Sequence, residues 1–354
     1  MLETRICRLL GIRYPIVQAA MAWVTDAKMI AAISDAGGLG TLGPNAGATT
    51  ITRDPHEVGE RLRAQIKKVR ALTDKPFAVN VLVPGPGEQE FSEATARVAI
   101  EEKVPVAIVS QGSAQVHTER LKRAGMKVIH VVANPKHAAK AESAGVDAVI
   151  TSGTEGGGHS GFEGLTTFIL VPLIADAVRI PVIAGGGVGD ARGLVAALSL
   201  GAEGVYMGTR FLATKECPVH QNWKQTLLRT EATETVAIKH GRTTALEAKD
   251  VQTDMRFGSV RILLNERARK LAEMQAAGKS PDEIMEVYYS SPPGYEDKPV
   301  TRGMLSSLYG DLVQGNAATG QVVGLINDIP TCRELIERMA RDAQEILGRL
   351  SRDP

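Results

Sequence analysis

PVIAGGGVGDARGLVAALSLGAEGVYMGTRF, running from Pro181 to Phe211, decides the fold. It opens with a β-branched run, bends at Gly185, Gly186 and Gly187, passes through the helix-spaced segment Ala191–Leu200, and repeats the pattern with the run Gly204–Arg210. A strand that ends in glycines ahead of a helix aims backbone N–H groups at whatever lies above the sheet, and glycine lets that backbone approach an anion closely. TEGGGHSG, Thr154 to Gly161, has the same character after the run Ala148–Gly153.

Outward from this stretch, the same reading finds eight short apolar runs bounded by turn residues: Ile16–Met21, Leu39–Gly43, Phe77–Val83, Pro105–Gly112, Lys127–Ala133, Ala148–Gly153, Pro181–Gly187 and Gly204–Arg210. Helix-spaced segments lie between them, such as Asp26–Ala36, with Met29, Ile30 and Ile33 on one side and Gly37 placed to end it. Thr118–Ala124, Pro135–Ala144 and Thr167–Val178 repeat the alternation. Several runs are continuously apolar, as strands covered by helices on one face and packed side chains on the other must be. An open doubly wound sheet would alternate in the same way. The count of eight, with phosphate-type loops after the seventh and eighth runs, predicts a parallel α/β TIM (β/α)8 barrel instead. Residues 1–210 are expected to form the barrel and 211–298 an inserted, mainly helical lobe carrying helices at Ile262–Ala277 and Ser280–Tyr289. Residues 299–354 are expected to pack back on the barrel through Leu335, Ile336, Met339, Ile346 and Leu347.

Composition narrows the functional classes. Lys plus Arg at 41 against Asp plus Glu at 40 leaves a net charge of +1, without the basic footprint of a nucleic-acid or anionic-membrane binder. No apolar window is long enough for a membrane span, and the first residues do not read as a signal peptide, so a cytoplasmic protein is expected. Cys7, Cys217 and Cys332 are odd in number and far apart, which fits reduced, packed thiols. No His, Cys or carboxylate cluster has metal-ligand spacing.

Three motifs compete for the chemistry. Gly38 to Gly43 matches G-x-G-x-x-G, but a helix precedes it where a dinucleotide fold needs a strand. TEGGGHSG lacks the Gly-Lys-Ser/Thr of a P-loop. The two bends after the seventh and eighth runs fit an anion best, with Gly186, Gly187, Gly208 and Thr209 as donors. His159, set among glycines, can exchange a proton near neutral pH, and Glu155 either orients it or solvates the loop. Small residues at Ala19, Ala20 and Ala22, with Met21 and Trp23, permit a flat ligand, to which Asn80 offers both a donor and an acceptor.

At YPIVQAAMAWV (14–24), DAGGLGTLG (35–43), KPFAVNV (75–81), EGGGHSG (155–161), the stretch 180–216 and ATGQVVGLI (318–326), the chain resembles the nitronate monooxygenase, or 2-nitropropane dioxygenase-like, family of FMN-dependent barrels. That family includes flavin enoyl-acyl-carrier-protein reductases and NAD(P)H:quinone reductases. The resemblance implies FMN with Ala20, Met21 and Asn80 near its ring, Gly158, Gly186, Gly187, Gly208 and Thr209 around its phosphate, and His159 as acid/base. It implies a flavin oxidoreductase acting on a small molecule; nitronate, quinone and enoyl thioester remain open as substrates, as do NADH, NADPH and a homodimer. The tail GQVVGLINDIPTCRELI is more similar to the reductase-type members, the tyrosine-rich wall of the nitronate oxidisers is not evident, and the insertion Val83–Phe91 lies beside the expected site. A phosphate-binding isomerase or aldolase barrel is the non-redox alternative, and a scaffold barrel a third.

Overall fold

A computed structural model describes residues 2–83, 89–161, 163–239, 258–290, 294–295 and 300–351. Pro84 to Glu88 of the insertion, His240, and parts of the 211–298 segment lie outside these residues.

In chain order the strands are β1 (Ile16–Gln18), β2 (Gly40–Leu42), β3 (Phe77–Leu82), β4 (Val106–Ser110), β5 (Lys127–Val132), β6 (Ala148–Thr151), β7 (Gly158–Ser160), β8 (Val182–Gly185) and β9 (Gly204–Met207). All but β7 form one parallel sheet of order β1-β9-β8-β6-β5-β4-β3-β2. Its two ends meet. Gln18 N donates to Leu39 O and Leu39 N to Ile16 O, both at 2.9 Å, so β1 and the residue ahead of β2 close the ring. The expected TIM barrel is therefore present, and the open-sheet alternative is excluded. Each of the eight runs read from the sequence contains one barrel strand, ending earlier than the run because the following residues turn.

The strands alternate two apolar cores. Leu39, Ala78, Ile108, Ile129, Ile150 and Ile183 fill the interior, whereas Val79, Val109, Val128, Val149 and Val182 face the helical layer. That layer comprises α2 (Ala27–Asp35), α3 (Pro55–Leu72), α4 (Gln89–Glu101), α5 (Thr118–Arg123), α6 (Pro135–Ser143), α7 (Thr167–Ala177) and α8 (Ala191–Ser199), whereas α1 (Arg5–Leu10) buries Ile6, Cys7 and Leu10 against the interior residues. Their starts are written locally: Asp26, Asp54, Asn134 and Asp190 each accept a first-turn N–H, and proline follows two of them. Gly37, at φ 92°, turns the chain out of α2 toward β2, which removes the dinucleotide reading of Gly38 to Gly43.

After β9 come α9 (Thr209–Leu212) and α10 (Gln221–Leu227), then β10 (Thr235–Lys239) and β11 (Ser259–Leu263). The sequence reading placed Ile262 in a helix, but that helix begins at Glu266, where Asn265 accepts the Ala268 N–H. Ile262 belongs to β11, whose Val260 and Ile262 pack with Ile238 and Leu271 while Arg261 turns the other way and donates to Thr154 O at 2.9 Å. A period of two was taken for a helical period. TEGGGHSG also contains an element that reading treated as loop: β7 pairs antiparallel with β11, joining the 211–298 segment to the barrel rim.

The helix Cys332–Leu350 returns to the barrel and packs on α8 and α2, burying Leu335, Ile336 and Met339. Ile346 is half-buried, and Leu347 is exposed.

Candidate active site

At the carboxyl ends of the barrel strands lies a cavity of about 1220 Å³. It is larger than a drug-sized ligand requires, since such sites occupy roughly 300–1,000 Å³. His159, Ala20, Met21, Asn80, Gly158, Gly186, Gly187, Gly208 and Thr209 all line it. The structure thus brings these nine residues into one space, whereas Glu155 does not line it.

One wall is made of backbone donors. The N–H groups of Gly186, Gly187, Gly208 and Thr209 have no acceptor among the described residues. Four unpaired donors on adjacent bends, from buried Thr209 to exposed Gly187, form a cradle for an anion. Gly186, at φ 107°, cannot be replaced cheaply, because an added Cβ would lie 2.6 Å from Thr167 Oγ1 and 3.0 Å from Gly153 O. The Thr209 hydroxyl accepts the Gly320 N–H at 2.9 Å, and Gln321 N donates to Glu155 O at 2.9 Å. These bonds lay residues 318–322 along the rim, where Ala318 and Val322 line the cavity. Buried Arg210 holds the far end of this segment through Asp328, at 2.7 Å, and Asp328 pairs in turn with Arg338 at 2.6 Å.

The surface beside it, at the ends of β1 and β3, suits a flat ligand, with two adjustments to the sequence reading. Asn80 Nδ2 donates to both Ile108 O and Ser110 Oγ at 2.9 Å, so the side chain offers an acceptor and no donor. The Ala20 N–H is taken by the Tyr206 hydroxyl at 2.7 Å, which leaves Met21 as the residue of the pair whose N–H lacks an internal acceptor. Burial raises the Tyr206 pKa, so this hydroxyl stays protonated. Tyr206 was not singled out from the sequence, because its partner lies 186 positions away and no local pattern marks the pair.

His159 occupies the centre of β7, opposite Val260 of β11. Ser152 Oγ donates to the His159 carbonyl at 3.0 Å, and the Ser160 and Ser259 hydroxyls bond to each other at 3.0 Å. The backbone on both sides of the histidine is therefore fixed, while its side chain is open to the cavity. Desolvation within the cavity disfavours the charged imidazolium and lowers the His159 pKa below 6.5, so the ring is neutral at pH 7 and can accept a proton. Glu155 does neither of the things expected of it. Both of its carboxylate oxygens accept the Thr167 N–H, at 2.9 and 3.0 Å, supplying the cap that Thr166 does not give α7.

Tyr288 of the helix Pro281–Tyr289 also reaches the cavity and meets Tyr289 edge to face at 5.0 Å. Cys7, Cys217 and Cys332 are all buried as free thiols, and burial raises the pKa of the last two. Among the described residues no group of three or more His, Cys, Asp or Glu side chains could hold a metal, and no helix is long and apolar enough to cross a membrane.

The profile of the family described as nitronate monooxygenase matches residues 3–342. A protein of Rhodococcus jostii (strain RHA1), named (3aS,4S,5R,7aS)-5-hydroxy-7a-methyl-1-oxo-octahydro-1H-indene-4-carboxyl-CoA dehydrogenase, is 36% identical over 97% of this chain and 96% of its own. A probable nitronate monooxygenase of Staphylococcus saprophyticus is 35% identical over 66% of this chain and 75% of its own. Among solved structures, FabK from Thermotoga maritima superposes with a TM-score of 0.81 at 35% identity, covering 99% of both chains.

Proposed function

Because this chain belongs to the nitronate monooxygenase family of oxidoreductases, we propose that it works with FMN held at the barrel mouth and with His159 as its acid/base. The observation that carries this reading is the cradle of four unpaired amides, from Gly186, Gly187, Gly208 and Thr209, in the same cavity as His159. These residues fit a flavin phosphate, to which Gly158 would add a further contact. The Met21 amide and the Asn80 carbonyl oxygen would meet the polar edge of the ring. FMN, when bound there, accepts and returns electrons, and the protein supplies orientation and proton transfer. A histidine kept neutral is suited to removing a proton from a carbon made acidic by a neighbouring nitro or thioester group.

A second reading places the substrate among acyl thioesters. It is favoured by coverage: the relative named as a carboxyl-CoA dehydrogenase aligns along almost the whole chain, whereas the probable nitronate monooxygenase aligns along two thirds of it. Anaerobic mixing with propyl-2-nitronate, NADH, NADPH and an acyl-CoA in turn distinguishes the two. We expect at least one of them to bleach the flavin absorbance, with nitronate bleaching supporting the first reading and acyl-CoA bleaching the second. A chain that binds FMN and is bleached by none would contradict the redox assignment and favour a phosphate-binding isomerase or aldolase.

A further inference from the structure

The cavity extends past the barrel mouth to a flank between the turn after β4 and the first turns of α6. The turn holds Gln111 at φ 60° and Gly112 at φ 57°, and the N–H groups of Gln111, Gly112 and Ser113 have no acceptor among the described residues. A non-glycine residue in the left-handed region is strained, and strain of this kind collects at functional sites. Consecutive amides left unpaired in a turn are donors available to an anion.

The side chains around the turn agree with it. His130, on the next strand, is only 5% exposed and lines the same flank. Burial depresses its pKa to about 4, so it stays neutral and adds no charge to the space. On α6, His137 and Lys140 stand three residues apart on the face that lines the cavity, and Lys140 is exposed and forms no ion pair among the described residues. No Asp or Glu lines the cavity anywhere among the described residues. A space with one lysine, several imidazoles and no carboxylate repels cations and suits a ligand that carries negative charge at two separated points.

We propose that this flank binds the phosphate-bearing arm of a second ligand, held by the Gln111–Ser113 amides, His137 and Lys140 while that ligand's reactive end reaches His159. The proposal deepens the flavin-oxidoreductase reading and rests on it. Phosphorylated adenosine is the shared chemistry, and its two sources are a coenzyme A thioester substrate and the electron donor NADPH.

Calorimetric titration of the FMN-loaded enzyme with coenzyme A, 3′-dephospho-coenzyme A, NADPH and NADH tests it in the wild type, Lys140→Glu and Lys136→Glu. Lys136 is on the same helix and does not line the cavity, so it controls for general electrostatics. Lys140→Glu is expected to weaken a phosphate-rich ligand by about tenfold or more, with Lys136→Glu changing it by less than about twofold and FMN content unaltered in both. Loss confined to coenzyme A assigns the arm to a thioester, and loss confined to NADPH assigns it to the donor. The proposal is overturned if none of the four ligands binds, or if the two variants weaken binding alike. A wild-type chain that retains no FMN would count against the cofactor reading alone, because the same titration of the flavin-free chain still decides the arm site.

Discussion

Replacing His159 with alanine is expected to leave FMN binding intact and to lower turnover by about 10²–10⁴-fold, the range typical of a positioned proton carrier. The two effects separate because the histidine and the phosphate cradle are built on different elements. His159 is held by the β7–β11 pairing and by Ser152, whereas the cradle belongs to the bends after β8 and β9. The pH profile adds a sign. The folded pKa of His159 lies below its usual 6.5, and the neutral form is the base, so kcat/KM for proton abstraction should be flat at neutral pH and fall as pH drops through that lowered value. The alanine variant should lose this acid limb along with the rate. Steady-state kinetics of both proteins from pH 5 to 8 checks it, and an unchanged limb in the variant would remove His159 from the mechanism.

The second large effect concerns Gly186. Alanine there meets Thr167 Oγ1 at 2.6 Å, a distance real Cβ atoms essentially never show, and crowds Gly153 O at 3.0 Å; Thr167 itself bonds Gly185 O at 3.2 Å and Gly186 O at 3.1 Å. The clash therefore spreads into the bend that carries the cradle. A loss of about 100-fold in FMN affinity is expected, equivalent to roughly 3 kcal/mol, together with about 1–3 kcal/mol of backbone strain. Gly278 provides the contrast, since it has φ 75° but nothing within 4 Å of an added Cβ. Gly278→Ala should cost some stability and keep its flavin. Flavin fluorescence titration alongside thermal melting of both variants separates strain from loss of the cradle; retention of full FMN affinity by Gly186→Ala would contradict the placement of the phosphate.

The barrel was legible in the sequence because its strands are enclosed on both faces, so each appears as a continuous apolar run, and because aspartate, asparagine, proline and glycine mark where helices begin and end. The cradle was legible for a related reason: glycines clustered immediately after a strand have few structural uses. What the sequence hid depended on distant partners. Gly158-His159-Ser160 has no strand character of its own and becomes β7 only because Ser259 to Arg261 lies beside it. Glu155 looked like a neighbour of His159 by spacing, yet the free end of α7 claims its carboxylate. Tyr206 of β9 reaches Ala20 beyond the neighbouring β1, between strands at opposite ends of the sequence order. The flank at Gln111 to Ser113 reads locally as an ordinary turn, and its significance emerges only from the unpaired amides and from His137 and Lys140 on α6.

The central claim is that unpaired amides on two neighbouring bends grip the phosphoryl group of a flavin. Titrating the flavin-free protein with FMN and, separately, with riboflavin, which differs by that group alone, tests it most directly. The cradle predicts that FMN binds about 100-fold tighter or better, since several charge-assisted hydrogen bonds are present for one ligand and missing for the other. Equal affinities, or binding of neither, would contradict it.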